Sequence, residues 1–141
     1  LYKKVDYIFT APNSSDAEQD DVAEMLSEDH MLFSPLRIMH TEQIRNRVAG
    51  SFLQDQKSWI FMPEQVEFFI SNDGKNFKSI GVMKNTISQE TEEPVMHEFS
   101  IDKPFTARYI KMVAKKIEAC PDWHVGAGEP GWIFCDEIVI E

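Results

Sequence analysis

The sequence is poor in cysteine, in basic residues and in long apolar runs, and each shortage closes off a class of function. Two cysteines, Cys120 and Cys135, among 141 residues are too few for a disulfide framework. Cys135 sits among Ile133, Phe134 and Ile138, a setting that suits a small buried hydrophobe. A bond between Cys135 and Cys120 has no independent support. Lys and Arg number 14 against 24 Asp and Glu, for a formal net charge of -10. Nucleic-acid affinity rests on clustered Lys and Arg, so no nucleic-acid partner is expected. The same balance argues against a membrane partner, because anionic lipid surfaces attract basic segments. No apolar run approaches the roughly 20 residues that a bilayer-spanning helix needs. Catalytic signatures are missing as well. There is no G-x-S-x-G elbow, no H-E-x-x-H pair, no phosphate loop and no dinucleotide fingerprint. His30, His40, His97 and His124 show no metal-ligand spacing, and Gly126-Ala127-Gly128 lacks the further glycine and helix of a phosphate cradle. The segment itself is therefore not expected to be an enzyme. It carries no signal peptide, and because it opens at Leu1 rather than Met it reads as a fragment whose targeting information can lie upstream.

What remains is an ordinary globular composition, 43% apolar and 27% charged, at the size of one domain with one core. Short alternating runs separated by turn chemistry predict an all-β sandwich. Leu1 to Phe9 alternates as an amphipathic strand and ends at Ala11-Pro12-Asn13. From Asp16 to Asp29 the acids Asp16, Glu18, Asp20, Asp21, Glu24, Glu28 and Asp29 have no base among them. Ser15 and Glu18 there have capping-box spacing, which makes residues 11–35 an acidic loop or a short helix, peripheral to the core. Strands are expected over Leu36–Met39, Ile44–Phe52, Val66–Ile70, Phe77–Val82, Val95–Ile101, Ala107–Lys116 and Trp132–Ile140. Asn72-Asp73-Gly74-Lys75 is a hairpin turn, since Asp-Gly accepts positive φ. Alternation predicts Val66, Phe68, Ile70, Ile110 and Ile138 pointing inward.

The Gly- and Pro-rich loop from Cys120 to Gly131 is the richest in chemistry. It sets Asp122, Trp123, His124 and Glu129 together and runs into Trp132. A flat indole packs on the apolar C–H face of a sugar, and neighbouring polar groups can bind its hydroxyls. Trp123 reads equally as such a platform or as packing. Trp132, adjoining the last strand, reads as a plug closing the sandwich end, and Trp59, beside Ile60, Phe61 and Met62, as core. Asp136-Glu137 interrupts an apolar strand. An arginine such as Arg45, Arg47 or Arg108 could pair a buried acid there, calcium could bind it, or alternation could turn one acid to solvent.

Phe52-Leu53-Gln54-Asp55, then Ser58 to Pro63 running into Val66-Glu67-Phe68-Phe69-Ile70-Ser71-Asn72-Asp73-Gly74, resembles the galactose-binding-like fold. More closely it resembles the coagulation factor five/eight type C (discoidin) module, whose following strand Ala107-Arg108-Tyr109-Ile110-Lys111 matches. Pro121 to His124 and Trp132 to Ile138 are similar to the C-terminal module of bacterial β-N-acetylhexosaminidases, the chitobiases. The resemblance covers residues 36–141. It implies one galactose-binding-like antiparallel sandwich, or jelly roll, over 1–141 with about eight strands. It further implies a non-catalytic module of a glycoside hydrolase that binds glycans containing N-acetylhexosamine beside the catalytic domain of the same chain. The parent would be periplasmic, cell-surface or secreted. Trp123 would stack on sugar, with polar contacts from Asp122, His124 and Glu129. The first 35 residues lack the Asp-Gly calcium loop and Trp-Leu-Gly segment that such modules carry. No cofactor is therefore expected, and Glu137 is a weak calcium candidate. The competing expectation is a structural module that packs on the catalytic domain and has no sugar site.

Overall fold

The computed structural model describes residues 30–37 and 43–141. The strand expected over Leu1–Phe9 and the acidic segment 16–29 lie outside the described residues. Seven strands run through the described chain: β1 (His30–Arg37), β2 (Gln43–Gln54), β3 (Gln65–Ser71), β4 (Lys78–Lys84), β5 (Val95–Ala107), β6 (Tyr109–Lys115) and β7 (Phe134–Ile140). They form a four-stranded sheet in the order β1-β6-β3-β4 and a three-stranded sheet in the order β5-β2-β7. Every strand pairing is antiparallel. The chain is an all-β antiparallel sandwich.

Alternation builds the core as expected. Val66, Phe68, Ile110 and Met112 from the four-stranded sheet meet Val48, Phe52, Phe99 and Ile138 from the three-stranded one, and Ile70 packs against them partly buried. Phe52 and Phe99 cross edge to face with ring centroids 5.6 Å apart, a favoured aromatic geometry. The other face of β6 carries Lys111, which is buried all the same. Its ammonium lies 4.6 Å from the Phe69 ring centre and 4.5 Å from that of Phe77. Burial lowers its pKa below the ordinary lysine value, against the opposing pull of Glu67.

Several element boundaries move. A strand begins at His30, earlier than the Leu36 start expected, so His30 to Pro35 are strand and not part of the acidic loop or short helix expected over 11–35. β5 runs on to Ala107 rather than stopping at Ile101. Its pairing with β2 slips between Arg45 and Arg47, opposite Lys103 and Pro104, and a proline at a bulge removes no ladder hydrogen bond. The expected turn forms at Asn72 to Asn76, with Gly74 at φ 74. Its carboxylate pin is Asp73, which accepts from the amides of Lys75 and Asn76 at 2.8 Å each, from the Asn76 side chain at 2.6 Å and from the Ser71 hydroxyl at 2.8 Å. These donors hold its pKa far below the usual carboxylate range.

The sandwich has two chemically different ends. One carries the β3–β4 turn, the β5–β6 corner at Arg108 and the end of β7. The other carries the loops 55–64, 85–94 and 116–133.

Candidate functional site

The loop between β6 and β7 is held shut by its own backbone. The Cys120 amide donates to the Glu129 carbonyl (2.8 Å), and the Gly128 amide donates back to the Cys120 carbonyl (3.0 Å). Inside that neck, three turns follow one another: His124 to Pro121, Ala127 to His124 and Glu129 to Gly126, each at 2.9 Å. The loop is also stitched to the segment after β2. The Trp132 amide donates to the Trp59 carbonyl (2.7 Å) and the Phe61 amide to the Trp132 carbonyl (2.9 Å), around a parallel bridge between Ile60 and Trp132. The loop from Cys120 to Trp132 thus has a backbone held by hydrogen bonds, the precondition for a preorganised surface.

His124 is the centre of this assembly. It is 6% exposed, and its ring lies edge-on to Phe61 (5.3 Å), Trp59 (5.5 Å) and Trp123 (5.7 Å). The Gly126 amide donates to Nδ1 at 3.0 Å, and Nε2 lies 2.7 Å from the Gln56 carbonyl. Nδ1 is therefore the acceptor and Nε2 bears the hydrogen. Both ring nitrogens are occupied, so His124 supports the loop from beneath and does not face a ligand as the sequence suggested. Gly126 belongs to the same packing, because a Cβ there would stand 2.5 Å from the tip of the Trp59 indole. Trp59 itself caps the 3-10 turn Gln56–Ser58 at φ 64. It is the one non-glycine positive-φ residue among those described, and such strain persists only where the surroundings over-determine it.

Above the buried histidine, Trp123 is 45% exposed, with exposed Asp122 beside it and exposed Glu129 on the same loop. Trp132 is 42% exposed, which corrects its reading as the plug. The neighbouring Ile133 takes the buried position at 2%, and it is the Trp132 backbone, not its ring, that closes the end. Trp59 is half-buried against Phe61, Ile117 and Cys120, and so belongs largely to packing as expected.

Elsewhere the candidates disperse. Asp136 is exposed and Glu137 half-buried, in the stretch where β7 slips register against β2. Among the described residues no group of three or more His, Cys, Asp or Glu stands together as a metal site. Arg47 pairs instead with Glu98, with Asp102 (3.0 Å) and with Glu141 (3.8 Å). Cys120 and Cys135 are both free and buried. Burial pushes the Cys135 thiol up to about 12, helped by the nearby Asp136 and Glu137. No helix among the described residues is long and apolar enough to cross a membrane.

The family model for the F5/8 type C domain matches residues 45–137. No curated protein matches the chain. Among solved structures, the C-terminal domain of a chitobiase from Bacteroides fragilis is 23% identical, with a TM-score of 0.39, over 70% of this chain and 56% of that one. The matched part thus spans little more than half of that domain's length.

Proposed function

Because the chain belongs to the F5/8 type C domain family, whose members are often carbohydrate-binding and typically non-catalytic, we propose that it is a glycan-binding accessory module. In this reading Trp123 stacks on a sugar ring, and Asp122 and Glu129 bind its hydroxyls. The observation that carries it is the exposure of Trp123 on a loop whose backbone is hydrogen-bonded turn upon turn. An indole held rigidly in water has little to do for the core and much to offer an apolar face. The resemblance of Pro121–His124 and Trp132–Ile138 to chitobiase modules supports the finer reading. The module then serves a β-N-acetylhexosaminidase catalytic domain of the same chain, on glycans containing N-acetylhexosamine, in a periplasmic, cell-surface or secreted parent. Affinity is weak, since a shallow surface touches few atoms and must still offset the entropy of association.

One feature favours a purely structural module. Met96, Leu53 and Phe134 are cross-strand neighbours in register on the outer face of the three-stranded sheet, and Met96 is 50% exposed. That row could pack on the catalytic domain. Titration with N-acetylglucosamine oligomers and galactosides, alongside chemical denaturation, separates the two. Trp123→Ala should weaken binding at least about tenfold while costing about 0.5–1.5 kcal/mol of stability, the size of its edge-to-face contact with His124. Absence of binding by the unaltered protein, with Trp123→Ala as damaging as a core truncation, would favour the structural module.

A further inference from the structure

Among the described residues, the charges are sorted between the two ends of the sandwich. The loops around Trp123, residues 55–64, 85–94 and 116–133, carry the eight acids Asp55, Glu64, Glu90, Glu92, Glu93, Glu118, Asp122 and Glu129 against Lys57 and Lys116, a difference of six negative charges. Glu64 pairs with Lys115 at 2.7 Å, but Glu118, Asp122 and Glu129 make no ion pair among the described residues. Toward the opposite end Arg47 gathers Glu98, Asp102 and Glu141, the Asp73 carboxylate is filled by N–H and O–H donors, and Arg45, Lys75, Lys103 and Arg108 add positive charge. The exposed indoles of Trp123 and Trp132 stand at the negative end.

From this sorting we infer that the platform selects glycans by charge: it prefers amino sugars with a free ammonium, takes neutral N-acetylated ones less tightly, and disfavours sugars bearing carboxylate or sulfate. The inference rests on the sugar-platform reading and adds a class of ligand to it. Two forces act in the same direction. The unpaired carboxylates attract an ammonium and repel an anion through Coulomb forces that act over several ångströms. A tryptophan face also draws a cation through its ring quadrupole. An N-acetyl group removes the charge on which both depend.

The test is calorimetric titration at about pH 6 with three tetramers of equal length: β-1,4-glucosamine, its fully N-acetylated form, and an oligogalacturonate. At low salt the cationic tetramer should bind about fivefold tighter than the neutral one, and screening at high salt should shrink that ratio toward one. The double variant Glu118→Gln, Glu129→Gln should lower the same ratio. Equal affinity for all three tetramers at both salts would overturn the charge inference and leave the platform reading standing. Cationic binding that survives Trp123→Ala unchanged would also overturn it, because the contact would then be diffuse and not at the platform. Binding of none of the three would bring down the platform reading and this inference together.

Discussion

Replacing His124 with alanine asks whether that ring holds the loop or holds a ligand. Three losses can be read from its surroundings. The Gly126 amide loses its acceptor and the Gln56 carbonyl its donor, at about 1 kcal/mol each where the partners stay buried. The edge-to-face contacts with Phe61, Trp59 and Trp123 go too, and such pairs are worth about 0.5–1.5 kcal/mol apiece beyond area burial. The space left between rings joined to stitched backbones can collapse only partly. Destabilisation of about 4–6 kcal/mol follows, at or above the scale of a core truncation. Urea denaturation followed by intrinsic fluorescence measures it, with His124→Phe as a companion that restores a ring but neither hydrogen bond and should recover about a third to a half of the loss. A His124→Ala protein as stable as the parent, yet unable to bind glycan, would show that the histidine is a ligand-facing group and that its placement beneath the loop is wrong.

Gly126→Ala must drive a methyl group into the Trp59 indole and should cost about 1–3 kcal/mol by overpacking. Gly128→Ala meets nothing within 4 Å and only the strain of φ +82, about 1 kcal/mol; paired thermal melts compare the two. The Asp73 carboxylate, with its folded pKa depressed by donors from Asn76, Lys75 and Ser71, contributes stability that is present above the unfolded carboxylate pKa and lost as pH falls below about 4. Asp73→Asn should therefore flatten the acid limb of a stability–pH profile and leave its neutral limb lower. Cys135, raised to about 12, should resist alkylation at neutral pH until the protein unfolds. Because its folded pKa is raised, its contribution is complete below the unfolded thiol value and fades from about pH 9 upward, which a thiol-labelling rate against pH would follow.

The strands were legible where one residue in two is apolar. Val66-Glu67-Phe68 can bury one face only in an extended chain, and the pairing of β3 with β4 and β6 follows that pattern. The end of β5 reads too early from the sequence, at Ile101, because the bulge that accommodates Pro104 depends on a partner strand more than fifty residues away. The site was half legible. Clustered Asp122, Trp123 and Glu129 mark a polar, aromatic loop on their own. The burial of His124 depends on Gln56, Trp59 and Phe61, which reach it only after folding. The exposure of Trp132 was missed for a related reason: local pattern shows that either Trp132 or Ile133 faces inward, but only the hydrogen bonds to Trp59 and Phe61 decide which.

The direction of β7 matters to anyone who handles the protein at a surface. The strand starts at Phe134, beside the tryptophan loop, and runs to Ile140; the Glu141 backbone then pairs with Arg47. Seven residues at roughly 3.3 Å each carry the chain some 23 Å from the indoles. A tag or linker joined after Glu141 therefore attaches at the far end of the sandwich. Capture through that point on a sensor chip or bead leaves Trp123 and Trp132 facing the solution, whereas random coupling through the lysines would include Lys57 and Lys116, next to the loop, and blind part of the population.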